Sequence, residues 1–255
     1  MKDSQTRSSS LWGSTIRTLP IALIVVAFAL ATVTCTDPIT HPVGTVKLHF
    51  DAVVDGDPVA FDKLHYSNPG GEGQFKVRSF LFYLSNVKLT DETGSYAETD
   101  SYHLARFDNG SSSFTIELKD VPDLEYKRIE FSIGVDKTAN SSIKSAGDLD
   151  PNGRMAWSWD VGYKFILFEG VLDLNESLLP LVYHVGFDEN YKPLAFNLDR
   201  PGNQGRLKSS SFKVDIMKLF SGTTTIDMAE LSTVKFDRHD AQVIAGNFAT
   251  MIALN

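Results

Sequence analysis

From Gly44 onward the chain alternates in twos. "TVKLHFDAVV" (45–54) sets Val46, Leu48 and Phe50 against Lys47, His49 and Asp51. Side chains on a strand point to opposite faces with that period, so such a stretch can bury one face and wet the other only as β-structure. "FKVRSFLFYLSNVKLTD" (75–91), "SFTIELKDV" (113–121), "YKRIEFSIGVD" (126–136) and "SSSFKVDIMKLF" (209–220) read the same way, separated by Asp, Asn, Gly and Pro turn signals. Many short strands so punctuated predict an all-β fold, a single antiparallel β-sandwich of Greek-key type with little helix. Short helices are expected only at "MAEL" (228–231) and within "HDAQVIAGNFATMIAL" (239–254). The exception to alternation is 132–154, a long run rich in Ser, Asn, Asp and Gly. A loop of that length inside a compact domain usually serves function.

The N-terminus is written differently. Lys2, Arg7 and Arg17 precede the uncharged apolar run "LPIALIVVAFALATVT", which ends at Thr34. A basic stretch before a short apolar one reads as an export signal. Cys35, the only cysteine, follows at once and resembles a bacterial lipidation site, although the preceding "ATVT" lacks the usual small residue just before it. The expected organisation is a signal over 1–34, a polar tether over 35–43 and one domain over 44–255. A single cysteine allows no internal disulfide, so the exported fold must stand on its core. Three basic residues leave with the leader against one acid, making the remainder more acidic than the whole chain's −8. With no basic cluster left, nucleic acid and anionic membrane surfaces are poor partners. Contact with a membrane is expected through the lipid alone.

Catalytic signatures are missing. There is no G-x-S-x-G and no glycine-rich phosphate loop between a strand and a helix, and the carboxylates are scattered. The chain is therefore not expected to be an enzyme. "DLDPNG" (148–153) matches the first half of a calcium loop, but Trp159 stands where the bidentate glutamate belongs, so a plain turn is the better reading. Six histidines occur without an H-x-H or H-x-x-x-H pair, so any metal site must be assembled from distant strands. "RMAWSWDVGYKFILFEG" (154–170) places an aromatic or apolar residue at every odd position from Met155 to Leu167, which reads as one strand with a heavy face. On residue chemistry alone, Trp157 and Trp159 are core.

"FSIGVD" (131–136), "LDPNGRMAWSWDVGYKFILFEG" (149–170) and "YHVGFD" (183–188) together resemble the MbnP family, and "FLFYLSNVKL" (80–89) resembles an upstream strand of it. The likeness runs from about Gly44 to the C-terminus, and its specific part is the 149–170 block joined to His184. The resemblance implies an exported copper-binding protein for copper acquisition or handling. It implies that Trp157 or Trp159 is oxidised to kynurenine by a partner di-haem peroxidase-like enzyme, with copper bound close by. His184 is then the leading ligand, His49 the second, and Met155 and His65 weaker candidates. Asp136, Asp150, Gly153, Gly162, Tyr163, Glu169 and Gly186 support the motif, Gly162 by allowing a bend or close approach and Asp150 with Gly153 by shaping a turn. Two features depart from the family: no cysteine lies near the H-x-G segment, and Arg154 precedes Met155. The competing expectation is a metal-free surface lipoprotein serving an outer-membrane transporter, such as a TonB-dependent one.

Overall fold

A computed structural model describes residues 41–142, 146–158, 161–198 and 207–255. The export signal, Cys35 and Trp159 lie outside the described residues. The strands follow one another as β1 (Val43–Val54), β2 (Asp57–Pro58), β3 (Tyr66–Ser67), β4 (Gln74–Thr90), β5 (Ser95–Ala97), β6 (Tyr102–Asp108), β7 (Ser113–Pro122) and β8 (Arg128–Ile133). Helix α1 (Lys137–Asn140) comes next, then β9 (Ala156–Ser158), β10 (Gly162–Leu174), β11 (Ser177–Gly186), β12 (Lys192–Asn197), β13 (Ser209–Asp215) and β14 (Thr233–Val234). Helices α2 (Arg238–Ala245) and α3 (Phe248–Met251) and strand β15 (Ile252–Leu254) end the chain.

These strands make two sheets. One runs β15-β13-β1-β2, with β7 also paired to β1; the other runs β12-β8-β4-β10-β11-β14, with β3, β5 and β6 also on β4 and β9 on β10. The all-β sandwich expected from alternation is what forms. Most pairs are antiparallel, but β1 with β13 and β11 with β14 are parallel. Between the sheets lies one core, to which β1 gives Leu48 and Phe50, β4 Phe80 and Phe82, β10 Ile166 and Phe168, β11 Tyr183 and Val185, and β13 Phe212 and Val214. Phe50 stacks on Phe212 at 4.9 Å, and Phe131 meets both rings edge-on.

A second, smaller cluster sits on the outer face of the larger sheet: Leu81, Tyr83, Val135, Leu149, Met155, Tyr163, Phe165 and Leu167. It explains why "FLFYLS" and "KFILFE" lose their alternation. Strands β4 and β10 are central and apolar on both faces, as strands buried on two sides are. The described parts of the 132–154 segment pack on this cluster, giving it Val135 and Leu149. Asp148 accepts a hydrogen bond from the Leu104 backbone N–H at 2.8 Å, and α1 interrupts the segment.

Two local expectations are corrected. The 155–167 block is not one strand. Its first part, β9, folds back antiparallel on the start of β10, Ser158 opposite Gly162 and Ala156 opposite Tyr163. Gly162, which opens β10, has φ +87°, a conformation that suits glycine. Tyr163, Phe165 and Leu167 do share a face, but Trp157 belongs to the other arm of the hairpin. "MAEL" forms a turn, because the Asp227 carboxylate accepts the Ala229 N–H and its carbonyl accepts that of Leu231. The C-terminal segment forms α2 and α3 as expected.

Candidate metal centre

The site is built at the end of the β10–β11 ladder. On β11, Leu181, Tyr183 and Val185 point into the inter-sheet core, which sends His184 to the outer face. In register, Leu167 stands opposite His184 and Glu169 opposite Val182, so Glu169 and His184 are diagonal neighbours on that face. His184 Nε2 lies 3.2 Å from Glu169 Oε1, and Arg154 Nη2 lies 2.5 Å from Glu169 Oε2. One carboxylate thus links the imidazole on β11 to the residue that leads into the β9 arm. Lys164 grips the same arm, donating from Nζ to the carbonyl of Arg154 at 2.6 Å.

The arm carries Met155 and Trp157. Met155 is 2% exposed and packs in the outer cluster with Leu167, the residue paired with His184. The Trp157 ring covers Gly186, two residues beyond His184. A Cβ at that glycine would lie 2.7 Å from the indole and 2.5 Å from the Tyr163 carbonyl. Trp157 is also flanked by Phe187 at 5.2 Å and by the solvent-exposed Phe236 at 5.3 Å. The glycine of H-x-G therefore makes room for the first tryptophan of W-x-W.

The remaining motif residues support this corner mechanically. Asp136 caps α1, accepting from the Thr138 and Ala139 N–H groups, and also accepts the Tyr102 hydroxyl at 2.6 Å. Asn140, on α1, accepts the Tyr163 N–H at 2.8 Å and donates to Asp188 at 2.8 Å. Gly162 is pressed against that amide: a Cβ there would be 2.3 Å from Asn140 Oδ1. Asp150 accepts the Asn152 N–H at 2.9 Å and, through its carbonyl, that of Gly153, so "DPNG" is a turn. Tyr163 is buried in the outer cluster, and its hydroxyl finds no hydrogen-bond partner among the described residues.

Charges set the protonation states. Burial pushes the Glu169 carboxyl up, but hydrogen bonds from Arg154 and His184 prevail and hold it below the usual range. Burial lowers His184, Glu169 opposes this, and Lys164 and Lys235 add to the lowering, so the net direction is down and the ring is neutral near pH 7. Lys164 is itself lowered, first by burial and then by Arg154.

Two predicted ligands are not brought here. His49 leaves the outer face of the five-stranded sheet, where its Nδ1 lies 2.9 Å from Thr115 Oγ1, so the whole core separates it from His184. The expectation that its strand could neighbour β11 fails because β1 pairs with β7, β13 and β2. His65 is exposed beside Tyr66 on β3, paired near Phe75 at the far end of β4. Leu81, level with Leu167 and His184, is six residues on, roughly 20 Å at strand rise. Among the described residues no three of His, Cys, Asp and Glu converge as a metal group. Sequence reading missed Arg154 as Glu169's partner, and missed Asn140, Lys164 and Phe236. Arg154 stood out only as a departure from the family pattern, and nothing local marks the others.

The sequence pattern of the MbnP family matches residues 43–237. A solved structure, MbnP from Methylosinus trichosporium, superposes with a TM-score of 0.55 at 20% identity, over 77% of this chain and 82% of that one, a likeness in fold. No curated protein matches. With the family pattern spanning β1 to the start of α2, the chain belongs to the MbnP family.

Proposed function

We propose that this chain is an exported, Cys35-anchored copper-binding protein that acquires or handles copper as cargo, without turning over a substrate of its own. Copper binds at the His184 end of β10–β11, with Met155 and Trp157 on the facing arm. The observation that supports this reading is the packing of Trp157 against the strand end that carries His184. Trp157 lies on Gly186 of H-x-G, and Met155 is buried in the same outer cluster as Leu167, the cross-strand partner of His184. Imidazole and thioether are donors that suit univalent copper. The surrounding Lys164, Lys235 and Arg154 disfavour a more highly charged ion. Oxidation of Trp157 or Trp159 to kynurenine by a di-haem peroxidase-like enzyme would add carbonyl and amine groups to that side chain.

Native mass spectrometry of the exported protein with metal analysis tests the reading. The expected result is retained copper, the mass change of one carbon replaced by one oxygen on a tryptophan, and loss of copper in His184→Ala. The second reading, a metal-free lipoprotein accessory to an outer-membrane transporter, is favoured by the absence of a three-donor group among the described residues. Unmodified, copper-free protein would establish it over the first.

A further inference from the structure

We infer that Glu169 is the positioning residue of this centre, holding the proton of His184 on Nε2 so that Nδ1 presents the lone pair that takes the metal. The inference rests on the proposed role of His184 as ligand.

A neutral imidazole has one N–H and one lone pair, and an ionised carboxylate can only accept. The 3.2 Å contact between His184 Nε2 and Glu169 Oε1 therefore puts the proton on Nε2. Nδ1 has no partner among the described residues and is left as the donor atom. The carboxylate is kept ionised by Arg154, which holds its other oxygen at 2.5 Å. A carboxylate behind a ligating histidine fixes both tautomer and ring orientation and raises the basicity of the donor nitrogen. The strand geometry leaves few other acceptors for the role. Glu169 is diagonal to His184 on the outer face, while Leu167, directly opposite, is apolar and Phe168 turns into the core. Through Arg154 the same carboxylate also holds the start of the arm that bears Met155 and Trp157. Both halves of the centre are thereby tied to one side chain.

Nuclear magnetic resonance of the full chain, with ¹⁵N in its histidine rings, tests this. The His184 signals are identified by their loss in His184→Asn. The expected spectrum has a solvent-protected Nε2–H before copper is added, and cuprous ion then moves Nδ1 while Nε2–H persists. Glu169→Ala should lose that protection and weaken copper binding about 10–100-fold. Glu169→Gln, whose amide oxygen still accepts, should keep the Nε2–H and most of the affinity. Copper on Nε2 in the wild type, or an Nε2–H equally protected in Glu169→Ala, would overturn the inference. Should Glu169→Ala not fold, the wild-type spectra and Glu169→Gln still decide it. A wild-type chain that binds no copper at His184 would refute the proposed function instead, and the copper-free spectrum would still locate the proton.

Discussion

The inter-sheet core and the outer cluster with its β9 arm are both buried, yet they are held by different means. Between the sheets, Phe50, Phe131 and Phe212 pack ring on ring among many other apolar side chains, and no single polar contact is decisive. Around the outer cluster and the β9 arm, glycines meet their neighbours with no spare room: Gly134 against Phe165, Gly162 against Asn140, and Gly186 against Trp157, whose ring also reaches the inter-sheet core. Carboxylates and amides add one-to-one links there, at Asp136, Asn140 and Glu169. Hydrophobic burial scales with area and lacks direction, so the first region supplies stability. Directional contacts supply position, so the second supplies fixed geometry.

That contrast can be broken experimentally. Phe212→Ala should cost about 3–5 kcal/mol, the usual loss for a large buried aromatic, seen as a lower denaturation midpoint of the whole domain. Gly186→Ala should cost less, about 1–3 kcal/mol as overpacking does. Its main effect should be displacement of Trp157, read in tryptophan fluorescence and near-ultraviolet dichroism, with the strand signal intact. If it unfolds the domain as completely as Phe212→Ala, the two regions do not differ in the way described.

The smallest effect expected is on pH dependence. The folded-state pKa of His184 lies below its ordinary 6.5, so an unfolded chain takes up that proton first. Stability contributed by the neutral ring should be present above about 6.5 and lost as pH falls through the lowered folded value. The depressed Glu169 acts the same way in a more acidic window, below the ordinary carboxyl value of 4.5. Denaturation midpoints across the histidine range should therefore fall in the wild type and fall less in His184→Asn. An identical slope in both would remove His184 from the buried, Glu169-linked position described.

Much of the fold was legible because alternation is written locally. Val46, Leu48 and Phe50 announced a strand with one buried face, and they lie in the inter-sheet core. Where both faces are buried, as at Ile166 to Phe168, periodicity vanishes and only the run of apolar residues remains. The odd-numbered aromatic series misled across Gly162, because a hairpin preserves spacing along the chain while reversing its direction. The motif residues gather at one corner of the larger sheet, and most of them hold backbone and arm in place.

The residues alone determined the strand content, the short C-terminal helices and the motif block, since each depends on neighbours within a few positions. Tertiary structure alone decided which histidine could join His184, and that neither His49 nor His65 does. Strand order is set by pairings between segments far apart in the chain, and a side chain's own strand carries no record of which strand lies beside it.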